Sequence, residues 1–256
     1  MSDVPGFDRA DYPLKEAAVA LWNGFIFVNL SLAQTLTDFG QTFAPLIGRF
    51  DRWHVGSLRT ARSMRYELAC NWKLVFLNYS ECYHCPIVHP QLEKLSPSES
   101  GRNDFSDGPF LGGYSELRAE GTSLSMSGRS PRASIGEVAG AELNRTYYYT
   151  IFPSMLLSLH ADYAMVHYCN PLAVDRTEVI CAWLFAPDEI ERAGFDPSDV
   201  VEFWDLTNRQ DWHVNELTQA GMTSRAYSPG PYSNAEGLLN AFDRHYLHCM
   251  NADNAT

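Results

Sequence analysis

The sequence predicts an α+β fold in which one antiparallel sheet carries its helices on a single face. Two observations predict it. Between residues 112 and 187 the chain breaks into short β-type segments separated by turn signals, and after residue 197 one long helical pattern takes over. Strands joined by tight turns pair antiparallel, and a helix that is apolar along one stripe buries that stripe on a sheet.

Taken in order, residues 21–30 (LWNGFIFVNL) read as a buried strand, rich in aromatic and branched side chains. Residues 32–48 carry apolar side chains at 36, 39, 43, 46 and 47, a helical spacing. Residues 57–68 read as a strand bearing Arg59, Arg62 and Arg65, and residues 71–84 as a helix with Trp72, Val75, Phe76 and Tyr79 on one stripe. Residues 91–110 are polar and turn-rich, and predict a long loop. Strands follow at 147–152, 155–160, 165–170 and 177–185, punctuated by Pro153-Ser154 and Val174-Asp175-Arg176, an antiparallel meander. Pro197-Ser198-Asp199 opens a helix to about residue 220, with Ser198 or Asp199 as its cap and Gly221 closing it. A proline- and glycine-rich stretch (SPGPYS) leads to a short helix at 235–248.

Composition narrows the function classes. At 256 residues and 45% hydrophobic the chain is expected to be one large domain, or one domain with a short extra piece, with a sizeable core. Its net charge of −12 argues against nucleic acid and anionic membrane surfaces. No run approaches the roughly 20 apolar residues that cross a bilayer. The first residues, MSDVPGFDRADYP, lack the basic start and apolar core of a signal peptide, so a cytoplasmic location is expected. The cysteines at 70, 82, 85, 169, 181 and 249 are too few for a disulfide scaffold at this length and are expected as free thiols.

The densest chemistry lies in residues 78–89, NYSECYHCPIVH. Three readings compete there. In the first, His84 and His89 bind a metal. Five residues apart, they would stand about 140° from each other on an unbroken helix, so Pro86 between them has to bend the chain. Asp211 is the third ligand this reading needs. On the long helix Val200, Trp204, Thr207, Val214 and Thr218 fall within about 60° of it, a mostly apolar stripe, whereas Glu202, Asp205, Asn208 and Arg209 point elsewhere. A carboxylate on a buried face needs a cation or a metal. Two histidines, one carboxylate and open positions make the facial triad of non-haem iron(II) oxygenases, although a buried arginine partner would satisfy Asp211 equally well. In the second reading, Cys82-Tyr83-His84-Cys85 is a redox dithiol or half of a zinc site. Against it, a helix precedes the motif instead of following it, and no second CxxC completes a zinc site. In the third, the histidines are structural.

The segment NWKLVFLNYSECYHCPIVHPQL resembles the iron-site segment of Rieske-type non-haem iron oxygenase α subunits. Asn71-Trp72-Lys73, Glu81, His84, His89 and Pro90 match that family's pattern in order, and TNRQDWHVNELTQAGMTSRAYSPGPYSNAEG is similar to its second iron segment, with the aspartate at Asp211. The resemblance runs from GFIFVNL to FDRHY. It implies the helix-grip (START-like) fold, a sheet wrapped around a long C-terminal helix. It also implies mononuclear Fe(2+) on His84, His89 and Asp211, and O2 and a small-molecule substrate as reactants. Glu81 would bridge electrons to His84 from a neighbouring subunit's Rieske domain or a reductase, in a homotrimer, and it could equally orient His84. The family's [2Fe–2S] domain carries Cys-x-His and Cys-x-x-His, and nothing here fits that pattern, since Cys82-x-His84 sits inside the iron segment. Residues 1–50 are therefore expected to be the remnant or linker after an absent Rieske domain, and residues 51–256 the iron catalytic domain.

The wording NYSECYHCP, together with SLHADY and TNRQDW, is most similar to the branch that attacks N-methyl groups of quaternary ammonium compounds such as glycine betaine. The implied reaction is hydroxylation followed by loss of formaldehyde. Such a cation wants an aromatic cage, for which Phe203, Trp204, Tyr163, Trp183 and Tyr148 are candidate walls beside Thr207, or else ordinary core. The rivals are an aromatic-ring hydroxylase, a zinc or dithiol protein using Cys82 and Cys85, and a non-catalytic helix-grip binding module.

Overall fold

Asn23 and Gly24 both take left-handed backbone angles, with φ of 45° and 84°. An Asn-Gly pair in that conformation makes the tight turn of a hairpin. The computed structural model, which describes residues 5–30 and 38–252, therefore replaces the single strand expected at 21–30 with β1 (Ala18–Trp22) and β2 (Phe25–Asn29). The strand was also expected to be buried, but only Trp22 is; Val19, Leu21, Ile26 and Val28 face solvent.

The helix expected at 32–48 shrinks to α1 (Phe39–Thr42), capped by the Asp38 side chain; its first part lies outside the described residues. Next come β3 (Arg59–Leu68) and α2 (Trp72–Tyr79), then two short helices, α3 (Cys85–Val88) and α4 (Pro90–Leu95). Part of the expected 91–110 loop is regular: α4 occupies its start, and β4 (Arg102–Phe105) pairs with β5 (Phe110–Glu116). Polar turn residues masked this pairing because β4 is an exposed edge strand. β6 (Arg145–Ile151), β7 (Met155–Leu159), β8 (Ala164–Ala173) and β9 (Arg176–Phe185) form the expected meander.

Seven strands make one antiparallel sheet in the order β3-β9-β8-β7-β6-β5-β4. The α+β expectation holds. At Gly113 in β5 a side-chain carbon would meet the Arg102 carbonyl oxygen at 1.8 Å, so the β4–β5 approach tolerates no side chain there.

After α5 (Pro187–Glu191) comes the long helix α6 (Ser198–Met222), and α7 (Gly237–Ala252) ends the described chain. Neither Ser198 nor Asp199 caps α6. Pro197 holds the cap position, and Asp196 instead accepts from the Ser198 N–H at 2.9 Å. Gly221 lies inside the helix rather than closing it.

The sheet separates two cores. Leu156, Met165, Val179 and Trp183 pack against Val75 and Phe76 of α2, Phe203 and Trp212 of α6, and Phe242 of α7. Leu157, Leu159, Val166 and Leu184 face the other way and pack with Trp22, Phe43, Leu46 and Phe50 from the N-terminal segment. The alternation along β7 to β9 is the period-two signature of a sheet buried on both faces. The buried arc of α6 is wider than the expected stripe. Asn208, Trp212 and Asn215 are also buried and Thr218 is exposed, because the helix packs against both the sheet and α2.

Arg132 pins the start of α6. Its guanidinium, 1% exposed, donates to Asp162 at 3.0 Å and bidentately to Asp199 at 2.9 and 3.1 Å.

Two imidazoles are sealed in the helix-side core. His160 stacks on Tyr163 with centroids 4.0 Å apart, and His167 shares a hydrogen bond with Asn208 at 3.1 Å. Burial, aided by the Arg132 charge, drives His160 down to about 3. Burial takes His167 down to about 4, although the Asn208 contact and the Asp211 charge oppose it. In the unfolded chain both return to about 6.5. Their folded values are depressed, so the stability they confer is complete above about pH 6.5 and is lost as pH falls toward the folded values. Urea unfolding of the chelator-treated chain is expected to lose about 1.4 kcal/mol per pH unit per histidine below about pH 6. A flat profile between about pH 6.5 and 5 would show these imidazoles to be hydrated.

Candidate metal centre

The α2 helix stops before the proline expected to break it. The Ser80 N–H donates to the Phe76 and Leu77 carbonyls, its hydroxyl donates to Phe76 O, and the chain then leaves the helix. Pro86 sits in the first turn of α3, where a missing N–H costs nothing. His84 and His89 flank that single turn, His84 preceding it and His89 leaving it at φ −120° and ψ 63° just before Pro90. A residue before proline avoids the helical region, which turns His89 out of line. The two imidazoles thereby converge.

Asp211 meets them from the middle of α6. Its Oδ1 lies 2.8 Å from His89 Nε2 and 3.2 Å from His84 Nε2, and the two Nε2 atoms are 3.1 Å apart. The partners of Asp211 are imidazoles and not the alternative arginine. Burial pushes the Asp211 carboxyl up, but the two histidines more than offset this and hold it below the usual carboxylate range. Burial likewise pulls His84 down, yet Asp211 and Glu81 raise it to about 9.

The other face of each ring is already engaged. His84 Nδ1 lies 2.5 Å from Glu81 Oε1, and His89 Nδ1 lies 2.8 Å from Gln210 Oε1. Both acceptors require a proton on Nδ1, which leaves the Nε2 lone pairs aimed at each other and at a carboxylate oxygen. With both rings neutral that arrangement is repulsive, and it is relieved either by a proton on an Nε2, which the raised His84 value reflects, or by a metal cation among the three atoms. Ligands about 2.1 Å from a metal and mutually cis in an octahedron stand ~3.0 Å apart, close to the separations seen. The residues therefore fit a facial triad. Asn78 Nδ2, 3.3 Å from His84 Nε2, completes the surroundings.

Glu81 does more than orient one ring. Its second oxygen accepts from the Tyr83 N–H, and from the His84 N–H at 3.3 Å. Glu81→Gln keeps the size but removes the negative charge on His84 Nδ1–H. It is expected to weaken Fe(II) binding by about 10- to 100-fold, read by anaerobic metal titration; unchanged affinity would reduce Glu81 to a loop anchor.

The triad lies in the wall of a cavity of about 570 Å³, the size of a small-ligand site. Tyr79, Tyr148, Trp204, Thr207, Leu111 and Leu238 line it. Of the candidate pocket residues, Tyr148, Trp204 and Thr207 are in this lining. Phe203, Tyr163 and Trp183 do not line the cavity: each is at most 1% exposed and packs in the core. The α6 turn that aims Trp204 and Thr207 at the cavity aims Phe203 away from it, while Trp183 projects from β9 into the layer beneath. Tyr163 acts at one remove, since its hydroxyl donates to Leu124 O at 2.8 Å and accepts from Trp204 Nε1 at 2.6 Å, fixing that ring.

The expectation of six free thiols is corrected by a disulfide between Cys82 and Cys85, whose Cα atoms stand close enough to be bridged at 5.0 Å. Sequence reasoning missed Gln210, Asn78 and Tyr79 as site residues. Gln210 adjoins Asp211 and the other two lie in the dense motif, but only folding shows which nitrogen or cavity each one meets.

Residues 52–252 match the family described as ring hydroxylating alpha subunit (catalytic domain). The oxygenase subunit of glycine betaine monooxygenase from Pseudomonas aeruginosa is 26% identical, covering 96% of this chain and 64% of that protein. Chloroplastic choline monooxygenase from Arabidopsis thaliana is 23% identical over 98% of this chain and 57% of its own length. The chain thus spans about three-fifths of these relatives. Among solved structures, a quaternary ammonium Rieske monooxygenase, described in connection with carnitine oxidation and inter-subunit electron transfer, superposes with a TM-score of 0.73 at 18% identity, covering 96% of this chain and 65% of that one.

Proposed function

The chain belongs to the ring-hydroxylating alpha-subunit family through its catalytic domain, and from that premise we propose that it holds one Fe(II) on His84, His89 and Asp211 and hydroxylates an N-methyl group of a quaternary ammonium compound. The observation that carries this reading is the convergence of the three ligand atoms within 3.2 Å of one another, with both Nδ1 atoms turned outward. The relatives named for glycine betaine and choline support the substrate class.

Bound iron would supply the activation of O2. The chain's own residues do the rest. Glu81 and Gln210 hold the imidazole tautomers, Asp211 contributes the negative charge, and the apolar walls exclude bulk water. Tyr148 and Trp204 offer aromatic faces to a trimethylammonium group. In the overall balance the N-methyl ammonium ion, dioxygen, two electrons and two protons give the N-hydroxymethyl ammonium ion and water. The C–N bond to the hydroxymethyl carbon then breaks, its electron pair stays on nitrogen, and the products are a tertiary amine, formaldehyde and a proton. The electrons would arrive from a Rieske cluster or reductase through Glu81, whose carboxylate contacts His84 and is 11% exposed, in a trimer of the family's kind.

The test loads the chain with Fe(II), drives it with hydrogen peroxide or a reductase, and assays formaldehyde from glycine betaine, choline and carnitine beside an aromatic hydrocarbon. Formaldehyde from at least one ammonium compound supports the reading. Oxidation of the hydrocarbon alone would transfer the site to ring hydroxylation, and no product would overturn the catalytic reading. Trp204→Ala is expected to raise KM for the ammonium substrate by about 10- to 30-fold, the loss of one desolvated cation–π contact, with a smaller change in kcat. A KM that stays put would remove Trp204 from the cage.

A further inference from the structure

One proposed ligand is enclosed by a sulfur pair. The Cys82–Cys85 disulfide closes a small ring around His84, and both cysteines line the cavity. Cys85 is 3% exposed and belongs to the core that holds Val75 and Leu92. Its sulfur and a ring nitrogen from each of His84 and His89 all lie within 4.8 Å of one another. In a tetrahedral site with metal–sulfur bonds of about 2.3 Å and metal–nitrogen bonds of about 2.1 Å, one sulfur and two nitrogens stand ~3.4–3.6 Å apart. About an ångström of adjustment therefore separates this cluster from a second coordination set that shares both histidines.

We propose that the cysteine pair selects which metal the histidines hold. With the disulfide formed, neither sulfur has a thiolate to offer. The ion then meets nitrogen and carboxylate oxygen only, a set that suits Fe(II). A thiol reductant supplies two electrons to the S–S bond, the bond breaks, solvent supplies two protons to give two thiols, and the reductant leaves as its own disulfide. Cys85 then joins His84 and His89 as a soft ligand, its proton passing to solvent as the metal binds. That set favours Zn(II), which no longer leaves the iron chemistry available. The inference rests on the iron reading of the two histidines, and the metal content of the oxidised chain tests that reading separately.

The experiment loads the full chain with Co(II), a spectroscopic stand-in, before and after phosphine reduction. Sulfur-to-cobalt charge-transfer absorption is expected only after reduction. It should vanish in Cys85→Ser and should appear without reductant in Cys82→Ser, where Cys85 has no sulfur to pair with. In anaerobic competition between Fe(II) and Zn(II), the bound zinc-to-iron ratio is expected to rise about tenfold or more on reduction of the wild type. It should not move in Cys85→Ser, with circular dichroism checking the fold of each variant. An unchanged cobalt spectrum and metal ratio on reduction, with iron still bound, would overturn the proposal and leave the disulfide as a staple. Titration of both thiols in air-purified chain would overturn it as well. An oxidised chain that takes up no iron would fail the underlying site reading first, and the proposal with it.

Discussion

Asp211→Ala is expected to lose iron by more than about a hundredfold in affinity and to bring formaldehyde release down to background. Asp211 is the single anionic atom at a point where two imidazole lone pairs also converge, 2.8 and 3.2 Å away. Removing it leaves two neutral ligands and no charge to balance a divalent ion. It also removes one of the two carboxylates that contact His84. Anaerobic titration with Fe(II), counted as iron per chain, reads the effect directly. Asp211→Glu retains the charge but reaches one methylene further, and is expected to bind iron while turning over poorly. Full iron stoichiometry in Asp211→Ala would remove the aspartate from the coordination sphere and with it the proposed chemistry.

Arg132→Met is expected to cost about 3–5 kcal/mol, the usual penalty for stripping one partner from a buried ionic cluster. Asp162, with its side chain 7% exposed, and Asp199 would be left as uncompensated carboxylates. The cluster ties the first turn of α6 to the connection between β7 and β8, so the loss should loosen the helix that delivers Asp211 as well as lower the urea midpoint. Arg132→Met combined with Asp162→Asn and Asp199→Asn is expected to regain part of the loss. The solvent-facing Arg209–Asp205 pair on the same helix, with Arg209 62% exposed, supplies the contrast. Arg209→Ala should cost under about 1 kcal/mol. Equal losses at the two arginines would mean that burial does not set the scale here.

The strands from 145 to 185 were legible because each is a short run rich in branched and aromatic residues, and turn signals such as Pro153-Ser154 and Val174-Asp175-Arg176 separate them. The long helix was legible because its stripe outlasts any strand. The stripe, with a carboxylate among Val200, Trp204 and Thr207, marked Asp211 as a buried charge in need of a metal or an arginine, and the resemblance to the family's second iron segment pointed to the metal. Other features depended on contacts that periodicity does not encode. Asn23-Gly24 is a hairpin signal in plain view, but an apolar run on either side of it reads as one buried strand until the left-handed angles are seen. Ser80, not Pro86, ends α2, because a serine hydroxyl that returns to the preceding turn competes with helix continuation. The division between cage and core among Trp204, Phe203, Tyr163 and Trp183 is a matter of side-chain direction at neighbouring helix and sheet positions, which composition cannot resolve. The Cys82–Cys85 bond was missed because a count of six cysteines speaks to scaffolds and not to a single pair brought close by a broken helix.

His89 and Asp211 lie 122 positions apart along the polypeptide, so an ion held between them fastens two distant stretches of chain into one closed loop. Such a fastening disfavours the unfolded ensemble, whose loop ends would otherwise wander, and it favours the native state by RT ln(1 + [L]/Kd). On the proposed reading, a bound ion would then be part of what holds the α3–α4 junction to α6, and its scarcity would soften the fold around the cavity as well as stop the proposed reaction.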